Sequence, residues 1–149
     1  MSIDPITLYV LLEQSINKGK FKVLNHLTFA EHIDSIKKKG LIPRKKYSMY
    51  GNPPILDAVY LYHSSAKNVV KDFKKTFRNI QIVNIKIDAS KLDPRLFIAD
   101  EDFYRYPFKR KVPPEEKMKL AAIQCLKERG TVAYQSVILP KYFLEIKEV

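Results

Sequence analysis

His26 and Thr28 lie in the segment VLNHLTF at residues 23–29. They are the first side chains along the chain whose types and spacing would allow them to bind a ligand together. Residues two apart on a β-strand point to the same face of the sheet. An imidazole nitrogen and a threonine hydroxyl on one face can together hydrogen-bond the hydroxyl groups of a ligand. A structural role fits the same pattern, because Leu24 shares that face and a core histidine is normally hydrogen-bonded. The segment alone leaves both interpretations open.

Aromatic and basic residues farther along the chain supply the other two kinds of group that a nucleotide cleft needs. Tyr60 or Tyr62, together with Phe73, would form a platform for a flat cationic ring. Arg44, the first of three basic residues at 44–46, would bind a pyrophosphate. The alternatives are ordinary ones, since such aromatic residues are commonly core residues and a basic run is commonly a solvated loop.

Alternating apolar residues predict the strands that must position these side chains. The predicted strands are residues 21–28, 58–64, 79–88 and a final pair around Pro140 within 131–149. His26 would lie near the end of the first strand and Tyr60 in the middle of the second. Gln135 falls on the first strand of the final pair.

Helical spacing and terminal residues predict four helices, at about 4–19, 29–39, 64–77 and 114–130. Asp4 before a proline is a typical N-cap. Thr28 and Glu31 have the capping-box spacing for the second helix. Ser64 or Ser65 is expected to cap the third helix.

Chain length and composition predict one globular α+β domain over residues 1–149, with about five or six strands. A chain of 149 residues with 46% hydrophobic residues has enough apolar material for a core. The 27 Lys and Arg residues outnumber 16 Asp and Glu, giving a formal net charge of +11. This excess, with basic runs at 37–39, 44–46 and 109–111, favours a nucleic acid or an acidic protein face as partner.

The cysteine content and the N-terminal segment indicate in which cellular compartment the protein is expected. The single cysteine, Cys125, excludes an internal disulfide and a thiolate metal cluster, and it fits a small core residue in a reducing cytosol. The apolar run near the N-terminus is too short to span a bilayer and lacks a basic leader. We therefore expect a cytoplasmic protein that makes no membrane contact.

The sequence lacks the residues that several common kinds of functional site require. With four glycines in the chain, neither a Walker-type phosphate loop nor a dinucleotide fingerprint is present. The three histidines do not have a metal-binding spacing, and His32 is expected on the exposed side of its helix, so no metal site is predicted.

Residues 88–114 are predicted to form a long loop, because prolines interrupt any long element. The acidic turn Asp100–Asp102 within it is interpreted as a solvated loop rather than a Mg²⁺ site.

The order of these features resembles the ADP-ribosyltransferase-like fold, a split β-fold with flanking helices. The similar elements are the strand ending in His-x-Thr, the helix ending KKKGLIP, the strand VYLYHSS running into a helix, the strand IVNIKIDASKLDP, and the final GTVAYQSVILPKYFLEI. Together they cover about residues 22–147. The resemblance is one of short motifs in order.

The resemblance implies a role for each matching residue. His26 matches the first histidine of the His-Tyr-Glu group, which holds the adenosine-side ribose hydroxyls of NAD⁺, and Thr28 matches the hydroxyl residue near the nicotinamide amide. Tyr60 matches the tyrosine of the second motif. Phe73 lies near the aromatic residue that stacks on nicotinamide.

Two positions depart from the family pattern. Gln135 stands where the third motif usually carries a catalytic glutamate, and a neutral amide lacks the negative charge that stabilises a ribosyl cation. Leu27 follows the histidine where glycine is common. We nevertheless interpret His26, Tyr60 and Gln135 as the catalytic set, and His26, Thr28, Arg44, Tyr60, Tyr62 and Phe73 as the NAD-binding set.

The resemblance implies an NAD-dependent ADP-ribosyltransferase that modifies a macromolecular acceptor, either nucleic acid or protein, in a toxin, phage-effector or housekeeping role. One alternative is an RNA 2′-phosphotransferase, although that family needs several arginines around the histidine motif and Arg44 is the first arginine of this chain. Another alternative is a basic nucleic-acid-binding module on the same fold without catalysis. The oligomeric state is left open by the sequence.

Overall fold

Short, alternating apolar segments form the six strands found in the described residues. The computed structural model describes residues 4–45, 56–105 and 111–149, so Lys46 and residues 109–110 of the predicted basic runs lie outside the described residues. The strands are β1 (Val23–Phe29), β2 (Val59–Tyr62), β3 (Ile82–Asp88), β4 (Phe97–Ile98), β5 (Thr131–Tyr134) and β6 (Phe143–Glu148). They form one antiparallel sheet in the order β4-β5-β2-β1-β3-β6. The predicted α+β class is confirmed at this level.

Helices and short helical turns connect the strands. The α-helices are α1 (Pro5–Leu12), α2 (Ile33–Lys39), α3 (Val69–Thr76), α4 (Asp102–Arg105), α5 (Glu115–Leu120) and α6 (Ala122–Arg129). The predicted cap of α1 is confirmed, because an Asp4 carboxylate oxygen accepts the Thr7 N–H at 2.9 Å. Gly40 ends α2 and Gly130 ends α6, with φ values of 84° and 71° that favour glycine.

The predicted capping box of Thr28 and Glu31 is wrong. Thr28 remains in β1, and a 3₁₀ turn at Ala30–His32 precedes α2 with no side-chain cap. The Ala30 N–H donates instead to the Gln81 carbonyl at 3.0 Å. A neighbouring segment of chain therefore satisfies one amide at the start of this helical region, without a side-chain cap.

The predicted serine cap of the third helix is also wrong. Asn68 occupies the N-cap position of α3, without a side-chain hydrogen bond. Ser65 is engaged in a local turn, where both its hydroxyl and its N–H reach His63 Nδ1, at 2.8 and 3.2 Å. The helix consequently begins later than the serines suggest.

Two further elements differ from their predictions. The helix expected over 114–130 is divided at Ala121, between α5 and α6. The segment 88–114, expected to be a long loop, contains β4 and α4. Phe97 of β4 is fully buried, which accounts for the strand.

The main core lies on one face of the sheet, where cross-strand neighbours stack. Leu24 is opposite Ile87 and Leu61 is opposite Val132, and all four are buried. The opposite face of β1 and β2 packs against α3 through a second apolar cluster of Leu27, Phe29, Tyr62, Phe73 and Ile82. Each such buried aliphatic or aromatic side chain contributes about 1.5–3 kcal/mol.

The structure also describes the environment of the cysteine and the length and hydropathy of the helices. Cys125 of α6 is buried, as expected for a small core residue. None of the helices in the described ranges has the length and hydropathy needed to cross a bilayer.

Candidate active site

The sheet is split between β1 and β2. Within these two strands, Asn25 and Tyr62 form the one register pair, whereas β1 and β3 are paired from Val23 to Phe29. The split leaves β4-β5-β2 on one side and β1-β3-β6 on the other. A cleft of about 380 Å³, lined by residues of both β1 and β2, opens at this gap. That volume is typical of small-molecule sites.

His26 bridges the gap with its side chain. Its Nδ1 lies 2.8 Å from the Tyr60 carbonyl oxygen, and because a carbonyl only accepts, Nδ1 must carry the proton. Burial lowers the pKa of His26 below its usual value of 6.5, while the bond to Tyr60 acts in the opposite direction. The ring is therefore neutral at pH 7, which leaves Nε2 as its hydrogen-bond acceptor, and His26 lines the cleft.

Thr28 and His32 complete the β1 side of the cleft. Cross-strand pairing puts His26 opposite Ile85 and Thr28 opposite Val83, so the two side chains share a face as predicted. Thr28 is buried and lines the cleft. His32, expected on an exposed helix side, is half-buried and also lines the cleft.

Tyr60 connects the cleft to a buried carboxylate. Its hydroxyl lies 2.6 Å from Glu101 Oε1 and 3.0 Å from the Leu56 carbonyl. Glu101 is fully buried, and its other oxygen accepts the Leu56 N–H at 3.0 Å. Burial, and then Glu101, raise the pKa of Tyr60 far above its usual value, so Tyr60 acts as a neutral donor.

The acidic turn Asp100–Asp102 is buried, which corrects its interpretation as a solvated loop. Asp100 and Asp102 line the cleft, and Asp100 Oδ1 accepts the Asp102 N–H at 3.0 Å. Sequence reasoning missed these carboxylates. The apolar run Phe97–Ala99 before them was not a sufficient signal, because the turn is held by bonds from Glu101 to Tyr60 and Leu56, far earlier in the chain.

Tyr62 and Phe73 form an apolar wall of the cleft. Phe73 is buried beside Phe29 and Phe77, with ring centroids 5.8 and 4.8 Å away. The Tyr62 hydroxyl donates to Asn84 Oδ1 at 2.6 Å, and burial raises its pKa to about 12. Both residues thus serve the core and the cleft at once.

Basic residues stand at the edge of the cleft. Arg44 is exposed, and its backbone pairs with Ala58 in both directions at 3.1 Å. Lys45 lies 3.8 Å from the Asp57 carboxylate. Arg129, at the end of α6, is half-buried and also lines the cleft.

Gln135 lies apart from the other predicted site residues. β5 ends at Tyr134, so the strand predicted to carry Gln135 stops one residue earlier. The Gln135 side chain bonds to Glu115, and its N–H donates to the Leu96 carbonyl at 3.0 Å. Gln135 is not among the described residues that line the cleft, whereas His26, Thr28, Arg44, Tyr60, Tyr62 and Phe73 all line it.

Comparison with known proteins does not assign the chain to a family. No protein-family model matches the chain, and no curated protein matches its sequence. In the part of the chain that the structure describes, no three His, Cys, Asp or Glu side chains come together as a metal site. Function must therefore be inferred from the cleft itself.

Proposed function

We propose that this chain is an ADP-ribosyltransferase-like enzyme that uses NAD⁺ to modify a macromolecular acceptor. The observation that carries the proposal is the split between β1 and β2, bridged by the bond from His26 Nδ1 to the Tyr60 carbonyl. A split β-fold is what the order of sequence motifs predicts. The bridge orients an imidazole acceptor beside a cleft of suitable size.

The groups around the cleft suit the parts of NAD⁺. His26 Nε2 would accept a hydrogen bond from a ribose hydroxyl, with Thr28 on the same face. The wall of Tyr62 and Phe73 would receive the flat cationic nicotinamide ring. Arg44 at the cleft edge would contact the pyrophosphate.

The reaction would break the bond between the ribose C1′ carbon and the nicotinamide nitrogen, and the electron pair would leave with nicotinamide. A nucleophilic atom of the acceptor would then bond to C1′ and release its proton. Holding the dinucleotide in a fixed geometry lowers the barrier by removing rotational freedom beforehand. Negative charge near C1′ lowers it further, because positive charge develops on the ribose.

Asp100 and Asp102 are the carboxylates that the cleft offers for that charge stabilisation. Gln135, the residue matched to the catalytic glutamate, lies outside the cleft lining and bonds to Glu115. We therefore assign the electrostatic role to this acidic turn. Glu101 would act as a positioning residue, since it ties the turn to Tyr60 and to Leu56.

The second candidate is a binding module on the same fold without catalysis. It is favoured by the position of Gln135, because the residue matched to the catalytic glutamate is neutral and does not reach the cleft. Such a module would bind NAD⁺ or nucleic acid and release no nicotinamide.

Nicotinamide release from NAD⁺ by the purified protein tests the proposal. We expect release by the parent and by Gln135→Ala, and a loss of about 10²–10³-fold in Asp102→Asn, the range typical of a removed electrostatic group. His26→Ala should also release less nicotinamide, and His63→Ala is its matched control, because His63 is not among the cleft-lining residues. NAD⁺ binding without turnover would favour the binding module, and absence of both would refute the proposal.

A further inference from the structure

Two helices that border the cleft carry a concentration of positive charge. We define the basic collar as the exposed cations of and around α2 and α3, namely Lys37, Lys38, Lys39, Lys67, Lys71, Lys74, Lys75 and Arg78. Ser35 and Ile36 of α2 and Val69 and Phe73 of α3 line the cleft. The collar therefore lies on two helices whose other residues line the cleft.

The collar cations have no carboxylate partner among the described residues. Other cations do have one, since Lys18 lies 3.1 Å from Glu13 and Arg95 lies 2.8 Å from Asp93. The collar is thus a local excess of charge and not merely a share of the overall value of +11.

Spacing within α3 makes this excess unfavourable for the free protein. Lys71 and Lys75 are four residues apart, and Lys71 and Lys74 are three apart, so they are neighbours on the helix surface. Like charges at these spacings destabilise a helix. An external polyanion would relieve the repulsion.

We propose that the acceptor is a single-stranded nucleic acid whose phosphates bind the basic collar. This inference rests on the proposed function, because it names the acceptor of that reaction. A nucleophilic nitrogen or oxygen of the strand would bond to C1′ as nicotinamide leaves with the bonding electrons, and the strand would lose one proton. A single strand fits better than a duplex, since an enzyme that acts on a base in a duplex must first flip it out and lose its stacking and pairing energy.

An acidic protein suits this surface less well. Protein interfaces depend on aromatic and other apolar anchors, yet no exposed large apolar residue lies within 31–39 or 67–78. The eight collar cations outnumber the three acidic residues of these ranges, Glu31, Asp34 and Asp72, and lysine and arginine are the side chains that neutralise phosphates.

The test measures binding of short fluorescent single-stranded DNA and RNA across a range of salt concentrations. The variant Lys71→Gln with Lys75→Gln neutralises two collar charges. The matched control, Lys91→Gln with Lys117→Gln, neutralises two exposed charges that lie outside α2 and α3 and do not line the cleft. We expect the collar variant to flatten the slope of log affinity against log salt by about 1.4, at about 0.7 per phosphate contact. The control should leave the slope unchanged.

Three results would overturn the inference. They are equal slopes in the two variants, no binding of either oligonucleotide by the parent at low salt, and tighter binding of an acidic peptide than of the oligonucleotides. Nicotinamide release and NAD⁺ binding are measured separately in the same variants. Because Lys71 and Lys75 do not line the cleft, failure of the proposed function would show in the parent's NAD⁺ reactions and not in the salt slope.

Discussion

His26 uses its two ring nitrogens for different purposes. Nδ1 donates across the split to the Tyr60 carbonyl, and Nε2 is left as the acceptor for a ligand. An asparagine side chain can place an amide N–H where Nδ1 lies, but it has no group at the position of Nε2. The structural and ligand-binding functions of this residue are therefore separable by mutation.

We expect His26→Asn to weaken NAD⁺ binding by about 0.5–1.5 kcal/mol, the net value of one hydrogen bond, with little change in unfolding free energy. His26→Ala should weaken binding similarly and also lower the unfolding free energy by about 1–3 kcal/mol, because the Tyr60 carbonyl loses its donor. Calorimetric titration and urea unfolding measure the two quantities. Equal stability of both variants would show that the bridge contributes nothing.

The lowered pKa of His26 links stability to pH. The folded state favours the neutral ring, so the unfolded chain binds more protons below the ordinary pKa of 6.5. The stabilising contribution of the neutral His26 ring is complete above pH 6.5. It is lost as the pH falls through the lowered pKa that His26 has in the folded state. We expect the unfolding free energy of the parent to fall in this range more steeply than that of His26→Asn. His63, whose pKa is lowered mainly by burial, contributes the same trend to both proteins.

At the scale of elements, a pair of tyrosines on β2 anchors that strand to its surroundings. Tyr60 donates to the buried Glu101 carboxylate, and Tyr62 donates to the neutral amide of Asn84. Hydrogen bonds to charged groups contribute more than those to neutral ones. Comparing the two tyrosines therefore shows how the charge of the accepting group affects the contribution of the hydrogen bond to stability.

We expect Tyr60→Phe to lower the unfolding free energy by about 1.5–3 kcal/mol and Tyr62→Phe by about 0.5–1.5 kcal/mol. Chemical denaturation measures both. Tyr60→Phe should also impair nicotinamide release, because it loosens the turn that carries Asp102. A smaller stability loss for Tyr60→Phe than for Tyr62→Phe would contradict this account of Glu101.

Strongly periodic elements were predictable from the sequence, and features that depend on distant partners were not. β3 has clear apolar spacing and lies within its expected range, and α3 ends near its expected place although it begins at Val69 rather than at 64. The burial of Asp100–Asp102 depends on Tyr60 and Leu56, about 40 residues earlier, so local composition could not reveal it. Gln135 was misplaced relative to the strand because β5 ends one residue earlier than its apolar pattern suggests.

At the scale of the whole molecule, a ligand in the cleft would join the two parts of the sheet. We expect NAD⁺ at about 100 times its dissociation constant to raise the unfolding free energy by about 2.7 kcal/mol. His26→Asn at the same NAD⁺ concentration should show a smaller rise. An NAD⁺-independent unfolding transition in the parent would contradict binding to the folded state.

The single register pair between β1 and β2 also governs how the molecule opens. Native proteins exchange amide hydrogens through local openings that occur where the fewest interactions must be broken. The boundary between β4-β5-β2 and β1-β3-β6 is such a place, because it is crossed by one register pair, Asn25 with Tyr62, and by the side-chain bonds His26–Tyr60 and Tyr62–Asn84. Amides of β2 should therefore exchange faster than those of β3, which is paired along both edges. The site of the proposed chemistry would then coincide with the line of lowest opening free energy in the sheet.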